Sequence, residues 1–407
     1  MQNKGIGART GSGNYLPALD GLRAVSILLV VLSHLGLDRM VPGAFGVTLF
    51  FFISGYLITR QLLQNLSDKG SATAGSIDLG GFYLRRALRL MPAGVVYIVV
   101  AGTLFQFAGG HISIAGWLAA LGYGANYYDL WAGYRTSLPG VRHPFNILWS
   151  LAVEEHFYLL WPILLLVLRG RALAFVLCLC GAVLAWRLYL LSHCFNLGDT
   201  ASAGMGFCAP ANPNPMWRYN RLYLPTDTRL DSIAWGAVLA LLETRRLTAS
   251  AWRALAGCTL LAASFAMTSP LGRYGVRPSL QGLGLVGLVP WLLWRPSPLR
   301  TALSTGPALL LGRLSYSLYL WHWAALGVAD YFAPFNRAAW LTIAVPLSAT
   351  LAGASYVGIE RPMLRLRRRF GSHAPLTLSA VSPIPLAASG HAVAQTQGVL
   401  GEADATA

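Results

Sequence analysis

The stretch "LRAVSILLVVLSHLG", residues 22–36, is apolar enough for a membrane helix yet keeps Arg23 and His34. An arginine near the middle of a bilayer costs about 2.5–3.5 kcal/mol on insertion scales, so such residues face a bundle interior or a watery cavity. Eleven steps of 100° bring the two positions back to within about 20°, which puts them on one helix face, roughly 16 Å apart along the axis. A guanidinium and an imidazole at two depths of one stripe suit a ligand that enters lengthwise, with the imidazole as proton acceptor near neutral pH. The plainer reading makes Arg23 an interfacial anchor and gives His34 a backbone carbonyl.

Three further clusters have chemical potential. In "FYLRRALRLMP", residues 82–92, Arg86 and Arg89 stand at i and i+3 with Arg85 beside them. Guanidinium forks grip phosphate bidentately, although the same cluster suits anionic lipid or topological anchoring. In "LWSLAVEEHFYLLWP", residues 148–162, Glu154 and Glu155 open an apolar run, and Ser150, Glu154 and Tyr158 stack at i, i+4 and i+8. Carboxylates there need a partner: His34 or an arginine would serve, Glu154 acting as a base or as half of a structural salt bridge. In "LGRLSYSLYLWHW", residues 311–323, Ser315, Tyr319 and His322 follow i, i+4, i+7 on one face, with core packing the plainer role for His322.

The elements that must hold these groups are membrane helices. The chain of 407 residues is 55% hydrophobic and 11% charged, against about 25% charged in a soluble domain. Its net charge of +16 would suit nucleic acid in a soluble protein, but the cations sit mainly in short loops between apolar stretches, where the positive-inside rule puts them, so no nucleic-acid partner is expected. Stretches near the spanning length of about 20 residues fall at 18–36, 43–63, 91–109, 148–168, 172–191, 229–243, 254–268, 279–294, 309–329 and 338–358. The Gly- and aromatic-rich 112–130 reads as a partial or re-entrant segment, because the loop charges at Arg60, Lys69, Arg169, Arg245 and Arg295 agree only if it does not cross.

These features predict an all-α polytopic transmembrane helix bundle of about ten spans plus one partial segment, multi-pass, with both termini cytoplasmic. Residues 1–14 read as a polar N-terminus without a signal-peptide cleavage site, 15–362 as the transmembrane domain, and 363–407 as a basic stretch and disordered tail. The loop 192–228 faces outward, the oxidising side, so Cys194 and Cys208 are either a disulfide or two free thiols, while Cys178, Cys180 and Cys258 read as packing residues. No Cys/His spacing suggests a metal. The sequence shows no internal repeat, which counts against a transporter.

The segments "YLPALDGLRAVSILLVVLSH", "GVTLFFFISGYLIT", "FYLRRALRLMP", "LWSLAVEEHFYLLWP", "RLDSIAWGAVLA", "LGRLSYSLYLWH" and "GIERP" follow in the order seen in the acyltransferase-3 family of membrane-bound acyltransferases, which the chain resembles from Tyr15 to Pro362. The resemblance implies an O-acyltransferase that moves an acyl group, usually acetyl, from cytoplasmic acyl-CoA to a hydroxyl of a surface or exported glycan, a lipo-oligosaccharide or a macrolide. It implies no permanently bound cofactor, acyl-CoA being the donor co-substrate. The family's Arg-x10-His pair matches Arg23 and His34, its Arg-x-x-Arg matches Arg86 and Arg89, and its acid after Ser-Leu matches Glu154. The chain resembles the stand-alone type without an esterase-like domain. It departs at Thr48, where many relatives carry Asp. Asp231 is kept beside Arg229, a local ion pair being as good a reading as a catalytic one.

The combined expectation is acyl transfer along a polar channel. CoA phosphates rest on Arg85, Arg86 and Arg89, Arg23 lines the path, His34 deprotonates the acceptor hydroxyl, and Glu154 orients the imidazole. Ser54, Ser315, Tyr319 and His322 are the substrate-contacting or relay candidates. The rivals are a transporter or channel, and a non-catalytic partner in polysaccharide assembly. The oligomeric state is not readable from the sequence.

Overall fold

Pro17 opens the first helix: its fixed φ suits a first turn, where its missing N–H is no loss. The computed structural model describes residues 15–67, 77–131, 138–194, 217–245 and 247–369, and every regular element among them is helical. In chain order these are α1 (Pro17–Leu32), α2 (Gly43–Ser67), α3 (Leu79–Phe107), α4 (Ile114–Leu121), α5 (Ala125–Trp131), α6 (Trp149–Leu168), α7 (Ala172–Cys194) and α8 (Trp217–Tyr223). The series continues with α9 (Thr226–Thr244), α10 (Ala251–Ala266), α11 (Arg277–Trp294), α12 (Pro298–Leu303), α13 (Gly306–Phe332), α14 (Arg337–Ser355) and α15 (Arg361–Arg368). The all-α reading therefore stands.

The number of spans does not. Among the described residues, five runs are long and apolar enough to cross a membrane: Pro17–Leu37, Gly43–Leu66, Leu79–Phe107, Pro144–Ser192 and Arg337–Arg367. This corrects the expectation of about ten. The stretches 148–168 and 172–191 fall inside the one run Pro144–Ser192. The stretch 254–268 becomes α10, only 16 residues long. Helices α9, α11 and α13 form as expected but bury polar and ionisable groups, among them Arg229, Asp231, Gln281 and His322. An apolar stretch of the right length in a large bundle can be covered by protein as readily as by lipid, and hydropathy alone does not separate the two. The segment 112–130 folds as α4 and α5, of 8 and 7 residues, each far shorter than the about 20 residues a crossing needs.

Residues Leu16–Ser372 form one contact unit. Within it α1 packs between α2 and α13, α2 also packs on α9, α9 on α7 and α11, and α13 on α14. Small residues allow the closest approaches. A Cβ at Gly312 of α13 would overlap the Asp20 carbonyl of α1, and one at Gly236 of α9 would overlap the Phe52 carbonyl of α2. The largest core cluster gathers Phe51, Phe82, Tyr97, Phe145, Trp149 and Trp161 between these helices. The N-terminal stretch 1–14, most of the tail, and Cys208, with the choice between a disulfide to Cys194 and two free thiols, lie outside the described residues.

Candidate active site

A cavity of about 70 Å³, open on one side, lies between α1, α2, α3, α6 and α13. Its polar lining comprises Arg23 from α1, Ser54 from α2, Arg86 and Arg89 from α3, Ser150, Glu154 and Tyr158 from α6, and Ser315, Tyr316 and Tyr319 from α13. The i, i+4, i+8 stack on α6 thus faces the cavity with all three members, and so do two of the three stripe residues of α13.

Three guanidiniums against one carboxylate leave this lining with a surplus of positive charge. Arg23 donates through Nε and Nη2 to Ser315 Oγ at 3.3 and 3.1 Å. Arg86 donates to Gln61 Oε1 at 3.3 Å and lies over the rings of Phe82 and Tyr158. Arg89 has no hydrogen-bond partner among the described residues. Glu154 accepts from Ser54 Oγ at 3.0 Å and from Tyr158 Oη at 2.9 Å. Arg85, expected with the phosphates, instead faces Asp78 at 3.5 Å, the acid that caps the N-terminus of α3 by accepting from the Gly81 N–H.

At the far wall the Tyr319 hydroxyl meets Ser150 Oγ at 2.5 Å and donates to the Ile147 carbonyl at 3.1 Å. Directly beyond Tyr319, 6.0 Å between ring centroids, lies His322, fully buried. His322 Nε2 is 3.0 Å from Nδ1 of His34. His34 sits in a π-helical turn, Ser33–Leu37, that ends α1 through Gly36 at φ 89. Such turns swing a side chain off the α-helical register and recur at functional sites. Trp323 packs edge-on against the His34 ring at 5.0 Å, its own N–H given to the His143 carbonyl at 2.9 Å. Arg142 covers Trp323 at 4.9 Å and pairs with Asp330 at 2.6 Å.

The structure therefore brings most of the expected residues to two adjoining places. Arg23, Ser54, Arg86, Arg89, Glu154, Ser315 and Tyr319 line the cavity, and His34 and His322 meet behind its far wall. The neighbour of His34 is His322 and not Glu154, because α13 presents His322 where α1 ends, while Glu154 is held lower in the cavity by α2 and its own helix. One group is not anticipated by the sequence. Arg187, the one charge in the apolar run of α7, pairs with Asp231 at 2.7 Å with both side chains fully buried. Asp231 had been read with Arg229, but residues i and i+2 point to different faces of a helix. Arg229 instead donates to Thr48 Oγ1 at 3.0 Å and covers the rings of Phe51 and Tyr223. Tyr158, cavity-lining and bonded to Glu154, was visible in the i+8 spacing.

Fold and site together define a helical membrane protein with a cationic cavity and, behind its Tyr319 wall, an imidazole pair. The family model for acyltransferase-3, an acyltransferase domain, matches residues 16–357, and the chain belongs to that family. It is 28% identical over 376 residues to the O-acetyltransferase OatA of Staphylococcus aureus (strain NCTC 8325 / PS 47), covering 86% of this chain and 58% of that protein. It is 30% identical over 384 residues to a Bacillus subtilis (strain 168) protein named "Putative peptidoglycan O-acetyltransferase YrhL", covering 87% of this chain and 56% of that one. The chain thus spans a little over half the length of these relatives. No solved structure matches it.

Proposed function

We propose that this chain is an integral-membrane O-acyltransferase of the bacterial cytoplasmic membrane, taking an acyl group, acetyl in the first instance, from cytoplasmic acyl-CoA to a hydroxyl of a surface or exported glycan. The observation that carries the reading is the cavity, whose three guanidiniums and single carboxylate suit a polyanion and whose far wall adjoins an imidazole. Arg86 and Arg89 take the CoA phosphates, Arg23 and Ser315 line the pantetheine path, and the thioester reaches towards Tyr319. Glu154, tied to Ser54 and Tyr158, offsets part of the cationic charge and keeps the cavity walls in place.

In the transfer step, His34 accepts the proton of the acceptor hydroxyl as its oxygen attacks the thioester carbonyl. The C–O bond forms, the C–S bond breaks, and the departing thiolate takes the proton back from the imidazolium. Positioned general-base catalysis of this kind contributes about 10²–10⁴-fold. The relatives' printed names favour acetyl as the acyl group and, for the Bacillus protein, peptidoglycan as the acceptor.

The test is transfer from radiolabelled acetyl-CoA into cell-envelope glycan by membranes with and without this chain. Label that enters glycan only with the chain, with release of free CoA in equal amount, is the expected outcome. Movement of a solute without thioester consumption would favour a transporter instead.

A further inference from the structure

The imidazole pair carries more than proximity. His322 Nδ1 lies 2.8 Å from the Leu318 carbonyl one turn earlier in α13. A carbonyl oxygen only accepts, so Nδ1 of His322 carries the hydrogen. A neutral imidazole carries one ring hydrogen, so His322 Nε2 presents a lone pair. That lone pair faces His34 Nδ1 at 3.0 Å, and His34 Nδ1 must then be the donor. The ring planes lie within 7° of each other with centroids 5.3 Å apart. At that nitrogen separation the rings are joined end to end, the geometry in which an in-plane lone pair meets an in-plane N–H. His34 is left with its lone pair on Nε2, an atom with no hydrogen-bond partner among the described residues.

We infer that His322 is a positioning residue: through the relay Leu318 carbonyl, His322, His34 it fixes the His34 tautomer so that Nε2 is the proton-accepting atom. This rests on the reading of His34 as the general base. The arrangement does for His34 what a carboxylate does in other bases, fixing which nitrogen is free. It differs in that a neutral partner attracts the imidazolium less than an anion would. The direction of the relay is set by a helix carbonyl, which has no alternative protonation state. Trp323, edge-on to the ring and anchored on the His143 carbonyl, opposes rotation of His34 out of this plane.

The test uses the full chain in membranes or nanodiscs with two readouts. The first is nitrogen-15 magnetic resonance of histidine-labelled protein, with His34→Ala assigning the His34 signals; the expected result is a protonated Nδ1 and an unprotonated Nε2 at His34. The second is steady-state acyl transfer by His322 variants. His322→Ala should lower kcat by about 10²-fold or more, with the KM for acyl-CoA changed less than about 3-fold, the signature of a lost transition-state interaction. His322→Gln puts an amide oxygen near the former Nε2 and should lose at least about 10-fold less than His322→Asn, whose amide stops one bond short. A protonated Nε2 at His34, full kcat in His322→Ala, or equal losses in the Gln and Asn variants would overturn the inference. If the unsubstituted chain transfers no acyl group from any acyl-CoA, the acyltransferase reading fails, and the resonance experiment still decides the tautomer.

Discussion

Two of the places where this bundle holds charge do so in opposite ways. In the α7–α9–α11 region, Arg187 gives all its donors to oxygen: Nε to the Gly275 carbonyl, Nη1 to the Thr228 carbonyl and Asp231, Nη2 to Asp231 and Ser279. Ser279 in turn donates to Asp231 Oδ2 at 2.6 Å. No donor or acceptor is left over, and both ions are fully buried. In the α1–α3–α6–α13 region, three guanidiniums and one carboxylate line a cavity, and among the described residues Arg89 and Nε2 of His34 have no hydrogen-bond partner. The first arrangement is complete without a ligand and reads as a clamp. In the proposed function the second is completed by an anion in the cavity and a proton donor at the imidazole. Buried charge alone does not mark function: Arg229 is buried with its Nε unpartnered and lies outside the cavity lining.

The comparison can be broken in a graded way. Asp231→Ala leaves Arg187 buried and unpaired, which should cost about 3–5 kcal/mol and appear as loss of monodisperse, detergent-soluble protein. Recovery of normal yield and thermal stability would show that the clamp is not one. Arg86→Gln with Arg89→Gln should leave folding intact but abolish discrimination between acetyl-CoA and acetyl-pantetheine, which lacks the CoA phosphates. At about 1.5–3 kcal/mol per charged hydrogen bond, the KM for acetyl-CoA rises at least about 10-fold while that for acetyl-pantetheine stays put. Equal changes for both donors would move the phosphate site elsewhere. Thr48→Asp gives Arg229, whose Nε is buried without a partner, a carboxylate within reach. It should stabilise the protein by about 1–3 kcal/mol, read as a higher unfolding temperature, and an unchanged or lower one would contradict this picture of Arg229.

Much of the site was legible because helices project side chains at a fixed angle. The i, i+4, i+8 spacing placed Ser150, Glu154 and Tyr158 on the cavity side of α6, and the α13 stripe did the same for Ser315 and Tyr319, whereas the 100° step from Arg23 does not reach His34, which lies in the π-helical turn Ser33–Leu37. Which stripe met which was not legible. That Ser315 would face Arg23, and His322 rather than Glu154 would face His34, depends on α1 and α13 lying side by side in the same direction, a long-range fact. An ion pair of Asp231 with Arg229, one of the two readings the sequence leaves open, is disfavoured by helix geometry at i, i+2. A single arginine in the apolar run "LAWRLYLL" was the signal for the true partner of Asp231. The span number failed for a related reason: α9, α11 and α13 turn their apolar surface to protein and hold their polar residues between helices.

The most direct test of the account removes only the His34 imidazole. Acetyl transfer from acetyl-CoA to envelope glycan is compared for the unsubstituted chain and His34→Ala, at matched expression and with matched elution on size exclusion. The account predicts that His34→Ala folds, still binds acetyl-CoA through its arginines, and loses transfer by about 10²–10⁴-fold. Transfer at an undiminished rate by a folded His34→Ala protein would contradict it.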